Sequence, residues 1–184
     1  MKKLVIGMIG KAGAGKDTVG DFLVNRFNFV KMALADPLKA GVKATFMLDD
    51  LTAYDREERE KPLKDFPEWS ARKLYQFVGT ELYRTHFDND IWVKLLLKRI
   101  RESECNKIVC CDVRFPNEYE GLKKCNDIEF RVVKVTRDGY DGRNVGLQNH
   151  PSEMHDLPFD IEVKNDGNIE NLQYKVAKSL GFSI

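Results

Sequence analysis

The stretch Lys3 to Thr18, KLVIGMIGKAGAGKDT, constrains this chain more than any other: an apolar run stops at a glycine-rich loop, and the loop leads into a helix. A continuous apolar run of this kind reads as a strand buried on both faces, as parallel sheets require. The loop has the spacing G-x-x-x-x-G-K, from Gly10 to Gly15 and Lys16, with Gly13 and Ala14 inside it. Glycines let backbone N–H groups turn inward around a phosphate. The following helix offers its positive end, and the lysine reaches the β- and γ-phosphates. Gly10, Gly13, Ala14, Gly15, Lys16, Asp17 and Thr18 are therefore read as the cradle for the phosphates of a nucleoside triphosphate. One position departs from the pattern. Asp17 stands where Ser or Thr usually ligates Mg²⁺; a carboxylate can hold that ion directly or through water, and Thr18 keeps a hydroxyl one residue later.

The rest of the chain alternates strands and helices, which argues for a three-layer α/β fold: a parallel sheet with flanking helices. Strands are expected at Lys3–Ile9, Phe29–Leu34, Lys107–Val113, Phe130–Thr136 and Ile161–Lys164. Helices are expected from Lys16 to about Phe27, from Asp36-Pro37 (Asp as N-cap, Pro at the first helical position) to Met47, from a Ser70 cap to about Phe87, from Ile91 to Arg101, from Asn117 to Lys124, and at the C-terminus. The polar segment Asp49–Glu60 reads as a surface helix or a mobile arm. In the Ser70 helix, Leu74, Phe77, Val78 and Leu82 make one apolar stripe. Arg72, Gln76, Thr80 and Arg84 step by four on a second, polar face. Asp138 to Pro151, rich in Gly, Asn and Asp, reads as a long loop. With 184 residues the chain is expected to be one domain, 1–184, with a helical region at about 36–90 and a lid loop at about 138–151.

The acid at the tip of the apolar strand, Asp112, is where phosphate-loop proteins hold the Mg²⁺ hydration shell. Asp17 and Asp112 are thus the candidate metal carboxylates. Arg114 lies two residues further and, on a strand, faces the same side as Asp112. Charge and cysteines exclude other classes. A formal net charge of +1 gives no basic field for nucleic acid or a membrane surface. No apolar stretch approaches the ~20 residues of a membrane span. The N-terminal Lys-Lys and apolar run could be misread as a signal peptide, but the run breaks at Gly10-Lys11. Cys105, Cys110, Cys111 and Cys125 include no C-x-x-C pair and read as small hydrophobes of a reducing cytosol. His150 and His155 form no convincing ligand pattern.

Seven segments together resemble the viral deoxynucleoside monophosphate kinase family: GKAGAGKDT; ALADPLK at Ala33–Lys39; REEREKPL at Arg56–Leu63; SARKLYQFVGTELYR at Ser70–Arg84; DNDIWV at Asp88–Val93; DVRFPNE at Asp112–Glu118; and HPSE at His150–Glu153. They run in order over nearly the whole chain. GKDT and DVRFPNE are the most specific, and Asp in the Ser/Thr position is shared with animal-type phosphomevalonate kinases. The resemblance implies a P-loop nucleoside monophosphate kinase-like fold with a closing lid. It also implies transfer of the γ-phosphoryl of ATP, with Mg²⁺, to a (deoxy)nucleoside 5′-monophosphate for DNA precursor synthesis.

In that reading Lys16, Asp112, Arg114, Arg137 and Arg143 are catalytic, the last two as lid arginines that neutralise the transferring phosphoryl. Lys39, Arg72, Gln76, Thr80, Arg84, Trp92 and Glu118 hold the acceptor: arginines for phosphate, Gln76 for the base edge, Trp92 for stacking. Plainer readings stand beside these. The Arg72–Arg84 row can be a solvated face, Trp92 core, and Arg114 a structural ion pair with Glu118 or Asp112. The partners are small molecules only, in the cytoplasm (the host's, if viral), and a homodimer is left open. A kinase of another phosphorylated acceptor, such as phosphomevalonate or dephospho-coenzyme A, shares all these features except the acceptor. A nucleotide-dependent switch or an inactive nucleotide-binding domain would share the loop alone.

Overall fold

The computed structural model describes residues 2–139 and 156–183. In chain order the described elements are β1 (Lys3–Ile9), α1 (Lys16–Phe27), β2 (Val30–Lys31), α2 (Asp36–Thr45), α3 (Asp50–Tyr54), a 3₁₀ turn (Glu58–Glu60), α4 (Ala71–Gln76) running on as a π-helical stretch (Phe77–Arg84), α5 (Ile91–Glu102), β3 (Lys107–Cys110), α6 (Pro116–Lys123), β4 (Ile128–Thr136), β5 (Ile161–Lys164) and α7 (Ile169–Leu180). Two compact units divide them: Met1–Ala33 with Leu96–Ile184, and Leu34–Leu95. No helix among the described residues is long and apolar enough to cross a membrane.

The first unit is the parallel α/β sheet that the strand–helix alternation predicts, in the order β2-β3-β1-β4-β5. β1 lies in the middle, paired with β3 from Leu4↔Lys107 to Gly7↔Cys110 and with β4 from Lys3↔Ile128 to Ile9↔Lys134. Such a strand has both faces covered, which is why it reads as an unbroken apolar run. Ile6, Met8, Val109, Val133 and Val135 of the sheet pack with Val19 and Leu23 of α1 and Leu172 and Val176 of α7 in one buried cluster. Each such aliphatic contributes ~1.5–3 kcal/mol by leaving water. Because all strands run the same way, the loops after β1, β3, β4 and β5 leave one edge of the sheet, the edge at which α/β folds bind ligands.

Several boundaries differ from the sequence reading. β3 stops at Cys110, not Val113, because its pairing with β1 ends at Gly7↔Cys110. β2 is two residues, held to β3 only through Val30↔Ile108 and Lys31↔Val109 at the sheet's edge. Asp36 is the first residue of α2 rather than its cap, which is Ala35, and the helix ends at Thr45.

The second unit is helical, around the buried Val42, Leu63, Ala71, Leu74 and Tyr75. Ser70 caps α4 as expected, its Oγ accepting the Lys73 N–H at 3.2 Å. The helix then widens to π geometry at Phe77, which period-3.6 reasoning does not foresee. The apolar stripe splits there: Leu74 is buried, whereas Phe77 and Leu82 are exposed. Gly79 sits mid-stretch against Leu38, and its carbonyl accepts the Trp92 indole N–H at 2.9 Å.

Candidate active site

The glycine loop closes between β1 and α1 as its spacing requires. Gly10, Gly13 and Gly15 all have positive φ, which L side chains rarely adopt. Gly10 also lies so close to the Val135 carbonyl of β4 that a Cβ there would collide with backbone. Gly15 serves as N-cap of α1 without a side-chain cap bond, so the helix's first N–H groups face the loop. Lys16 Nζ donates to the Gly10 carbonyl at 2.7 Å and the Lys11 carbonyl at 2.9 Å, folding the cation over the loop. Sequence reasoning missed Asn165, at the end of β5: its Nδ2 donates to the Ala14 carbonyl at 2.9 Å and so ties the far strand to the loop.

A cavity of about 620 Å³ opens beside this loop, lined by Gly13, Gly15, Thr18, Arg137 and Asn165, and by Gly167 to Glu170 and Leu172. Arg137, just past β4, thus lines the same cavity as the phosphate loop. Arg143, the rest of the lid loop, His150 and His155 lie outside the described residues.

Asp17 lies in the first turn of α1 with its side chain 80% exposed. Lys31 Nζ of β2 sits 3.0 Å from Asp17 Oδ1 and 3.0 Å from Asp21 Oδ1, one helical turn on. Partial burial opposes the charge on Lys31, but the hydrogen bonds to Asp17 and Asp21 outweigh it and hold the ammonium above its ordinary value. Nothing in the loop pattern announces this lysine. Behind it, Cys111 Sγ lies 3.6 Å from the Lys16 carbonyl, which sets the next residue, Asp112, beside the start of α1. Burial pushes the Cys111 thiol up to about 12 and the Cys110 thiol well above its usual range, so neither acts as a nucleophile. Among the described residues no three acidic, His or Cys side chains converge into a metal cage. Two carboxylates beside a phosphate loop are nonetheless a fitting donor set, since Mg²⁺ is normally bound by one or two carboxylates plus substrate phosphates and water.

The strand expected to carry Asp112 and Arg114 stops short of both. Asp112 and Arg114 follow β3 in irregular chain, so the two-residue alternation of a strand does not apply to them. Arg114 is exposed, at the sheet edge that carries the loop. Glu118 is buried, and its Oε2 accepts the N–H groups of Arg114 (2.7 Å) and Phe115 (3.0 Å). That oxygen shapes the Arg114 turn and caps α6.

Within the helical unit the by-four row spans a change of helix geometry. Arg72 and Gln76 belong to α4, Thr80 and Arg84 to the wider π stretch, and all four are half-buried. Arg72 Nη1 is 3.4 Å from Glu60 Oε1, and Arg59, which sequence reasoning did not single out, is 3.8 Å from the same oxygen. Gln76 Oε1 is buried with no hydrogen-bond partner. The Thr80 carbonyl accepts from Thr85, and Arg84 Nη1 donates to the Asn89 carbonyl at 3.1 Å. Lys39 lies in the first turns of α2, half-buried. Trp92 is 6% exposed, with its ring against Tyr83 and its N–H on Gly79. Such burial fits the core reading that stands beside the stacking one.

Comparison with known proteins follows this geometry. An Acanthamoeba polyphaga mimivirus protein named for deoxynucleotide monophosphate kinase is 29% identical, with 94% of each chain covered. A deoxynucleoside-5′-monophosphate kinase of Escherichia phage T5 is 36% identical over 58% of this chain and 44% of its own, so the chain spans less than half that relative's length. Among solved structures, a Mycobacterium tuberculosis APS kinase matches with a TM-score of 0.52 at 14% identity, covering 98% of both chains, a likeness of fold alone. The family model for deoxynucleotide monophosphate kinase matches residues 53–176. With that match spanning most of the chain, over a phosphate loop in its expected setting, the chain belongs to the deoxynucleotide monophosphate kinase family.

Proposed function

We infer that this chain is an ATP-dependent kinase that transfers a phosphoryl group to a deoxynucleoside 5′-monophosphate, giving the diphosphate. The observation that carries the reading is the phosphate loop with Lys16 folded over it, beside a cavity of nucleotide size lined by Arg137 and Asn165. Family membership supplies the acceptor class.

Backbone N–H groups from Gly13 to Thr18 and the Lys16 ammonium hold the β- and γ-phosphates of ATP in line for attack. Arg137, with Arg143 from the lid loop, offsets charge as the phosphoryl leaves. Arg114, set by Glu118, serves the acceptor phosphate. Arg72, Gln76, Thr80, Arg84 and Lys39 are the acceptor-binding candidates of the helical unit. Asp17 and Asp112 would hold Mg²⁺, directly or through water; the ion would draw charge from the donor phosphates. The work is positioning and electrostatics, as phosphoryl transfer requires.

The test is a coupled assay with ATP and Mg²⁺ over all common nucleoside and deoxynucleoside monophosphates, with phosphomevalonate and dephospho-coenzyme A as comparison acceptors. Turnover with one or more deoxynucleoside monophosphates is expected. Turnover confined to a non-nucleotide acceptor would overturn the reading.

A further inference from the structure

We propose that Lys31 is a built-in charge compensator for the unusual Asp17: a positioning residue that lets a carboxylate sit in the phosphate loop where a neutral hydroxyl usually stands. The inference rests on the loop holding nucleotide phosphates. A Ser or Thr at position 17 would add no charge. Asp17 adds one negative charge in the first turn of the very helix whose N-terminus receives the anion. Left alone, it would repel the β-phosphate and offset the positive field that the helix end offers to it.

Lys31 answers that charge from a different element. Its Nζ meets Asp17 Oδ1 at 3.0 Å while also reaching Asp21 at 3.0 Å. The surroundings hold it there. β2 is pinned to β3 by the Lys31↔Val109 register. Gly20, between the two acids on α1, packs on Cys111, where a Cβ would lie 2.5 Å from Sγ, and the Lys31 stem passes at ordinary contact distance, 3.5 Å at Cε. Asp21 keeps the ammonium anchored at one end while Asp17 engages at the other. The lysine side chain is the less exposed partner, at 34% against 80% for Asp17. The cation is therefore the fixed partner, and the carboxylate is the one that can turn toward a metal.

This arrangement has a specific consequence. Without metal, Lys31 cancels the Asp17 charge and nucleotide phosphates can bind. With Mg²⁺ present, the ion itself balances both Asp17 and the phosphates, and Lys31 matters less. The two conditions separate compensation from simple packing or from a general electrostatic attraction.

The experiment is isothermal titration calorimetry of ADP against wild type, Lys31→Met, Lys31→Arg, Asp17→Asn and the double variant Lys31→Met/Asp17→Asn, each in EDTA and in excess Mg²⁺. Lys31→Met is expected to weaken ADP binding roughly tenfold in EDTA, the scale of one uncompensated charge a few ångströms away at a surface site. In Mg²⁺ the change is expected to stay within about threefold, since the ion supplies the missing charge. Lys31→Arg should behave as wild type in both. In the Asp17→Asn background, Lys31→Met should change EDTA binding less than about threefold, because the charge to be compensated is gone. Equal weakening with and without Mg²⁺, or an undiminished Lys31 effect in the Asp17→Asn background, would overturn the proposal. A wild-type protein that binds no ADP, or whose ADP binding ignores Lys16→Ala, would instead refute the phosphate-loop reading on which it rests.

Discussion

The sheet unit and the helical unit are built on opposite principles. In the first, the buried cluster joins strands from four distant stretches of sequence, and β1 is fixed by neighbours on both sides. Its loop is pinned at Gly10 by the Val135 backbone and at Ala14 by Asn165. In the second, a smaller buried cluster lies wholly within Leu34–Leu95, one helix is π-widened, and Met47, Leu51, Phe66, Phe77, Leu82 and Phe87 remain exposed. The donor side is over-determined by long-range contacts; the proposed acceptor side rests on local ones. Elements that must adapt to a substrate are drawn from the less stable end of a structure.

The contrast can be broken at several points. The largest effect is expected from Lys16→Ala, which removes the preorganised cation of the loop: a 10²- to 10³-fold loss of kcat is the scale for one such donor, with an unchanged melting temperature. Wild-type turnover would remove the loop from catalysis. Next comes Arg114→Lys, which keeps charge but loses the guanidinium fork. A fall of roughly 10²-fold in kcat/KM for the monophosphate is expected, with ATP binding intact; normal acceptor kinetics would take Arg114 out of the site.

Leu74→Ala probes the helical unit itself. A buried leucine cut to alanine costs about 2–5 kcal/mol, and hydrogen exchange should show the loss in amides of Leu34–Leu95 while ADP affinity holds within about twofold. Uniform loss of protection across both units would show that they open as one. The smallest effect is expected for Asn165→Ala. Losing one side-chain hydrogen bond to a loop carbonyl costs about 1 kcal/mol, which should appear as a severalfold weaker ADP affinity without a change in acceptor KM. An unaltered ADP affinity would make Asn165 a bystander.

The sequence was most informative where a feature is local and its chemistry rigid. The glycine loop, the β1 strand before it and α1 after it could be read directly, because φ > 0 positions, a continuous apolar run and a helix start are each written in adjacent residues. So could the parallel sheet, from alternation, and the family, from motifs spread over the chain. Reading failed where a period had to hold across a change of geometry. A 3.6-residue repeat carried on from Ser70 does not foresee the π stretch, where the apolar stripe splits between buried Leu74 and exposed Phe77 and Leu82. Strand alternation does not extend to residue 114, because β3 ends where β1 ceases to pair with it.

What the sequence alone determined is the phosphate loop, the α/β class and the reading of Asp17 as a charge where a hydroxyl is usual. What only the tertiary structure decided is who answers that charge and what holds the loop. Lys31 stands fourteen residues after Asp17 and Asn165 some hundred and fifty after Ala14. No periodicity links either pair; strand pairing does, by bringing the ends of β2 and β5 to the same edge of the sheet as the end of β1. Contacts made across a sheet depend on register and strand order, and those are properties of the packed fold rather than of any one stretch of chain.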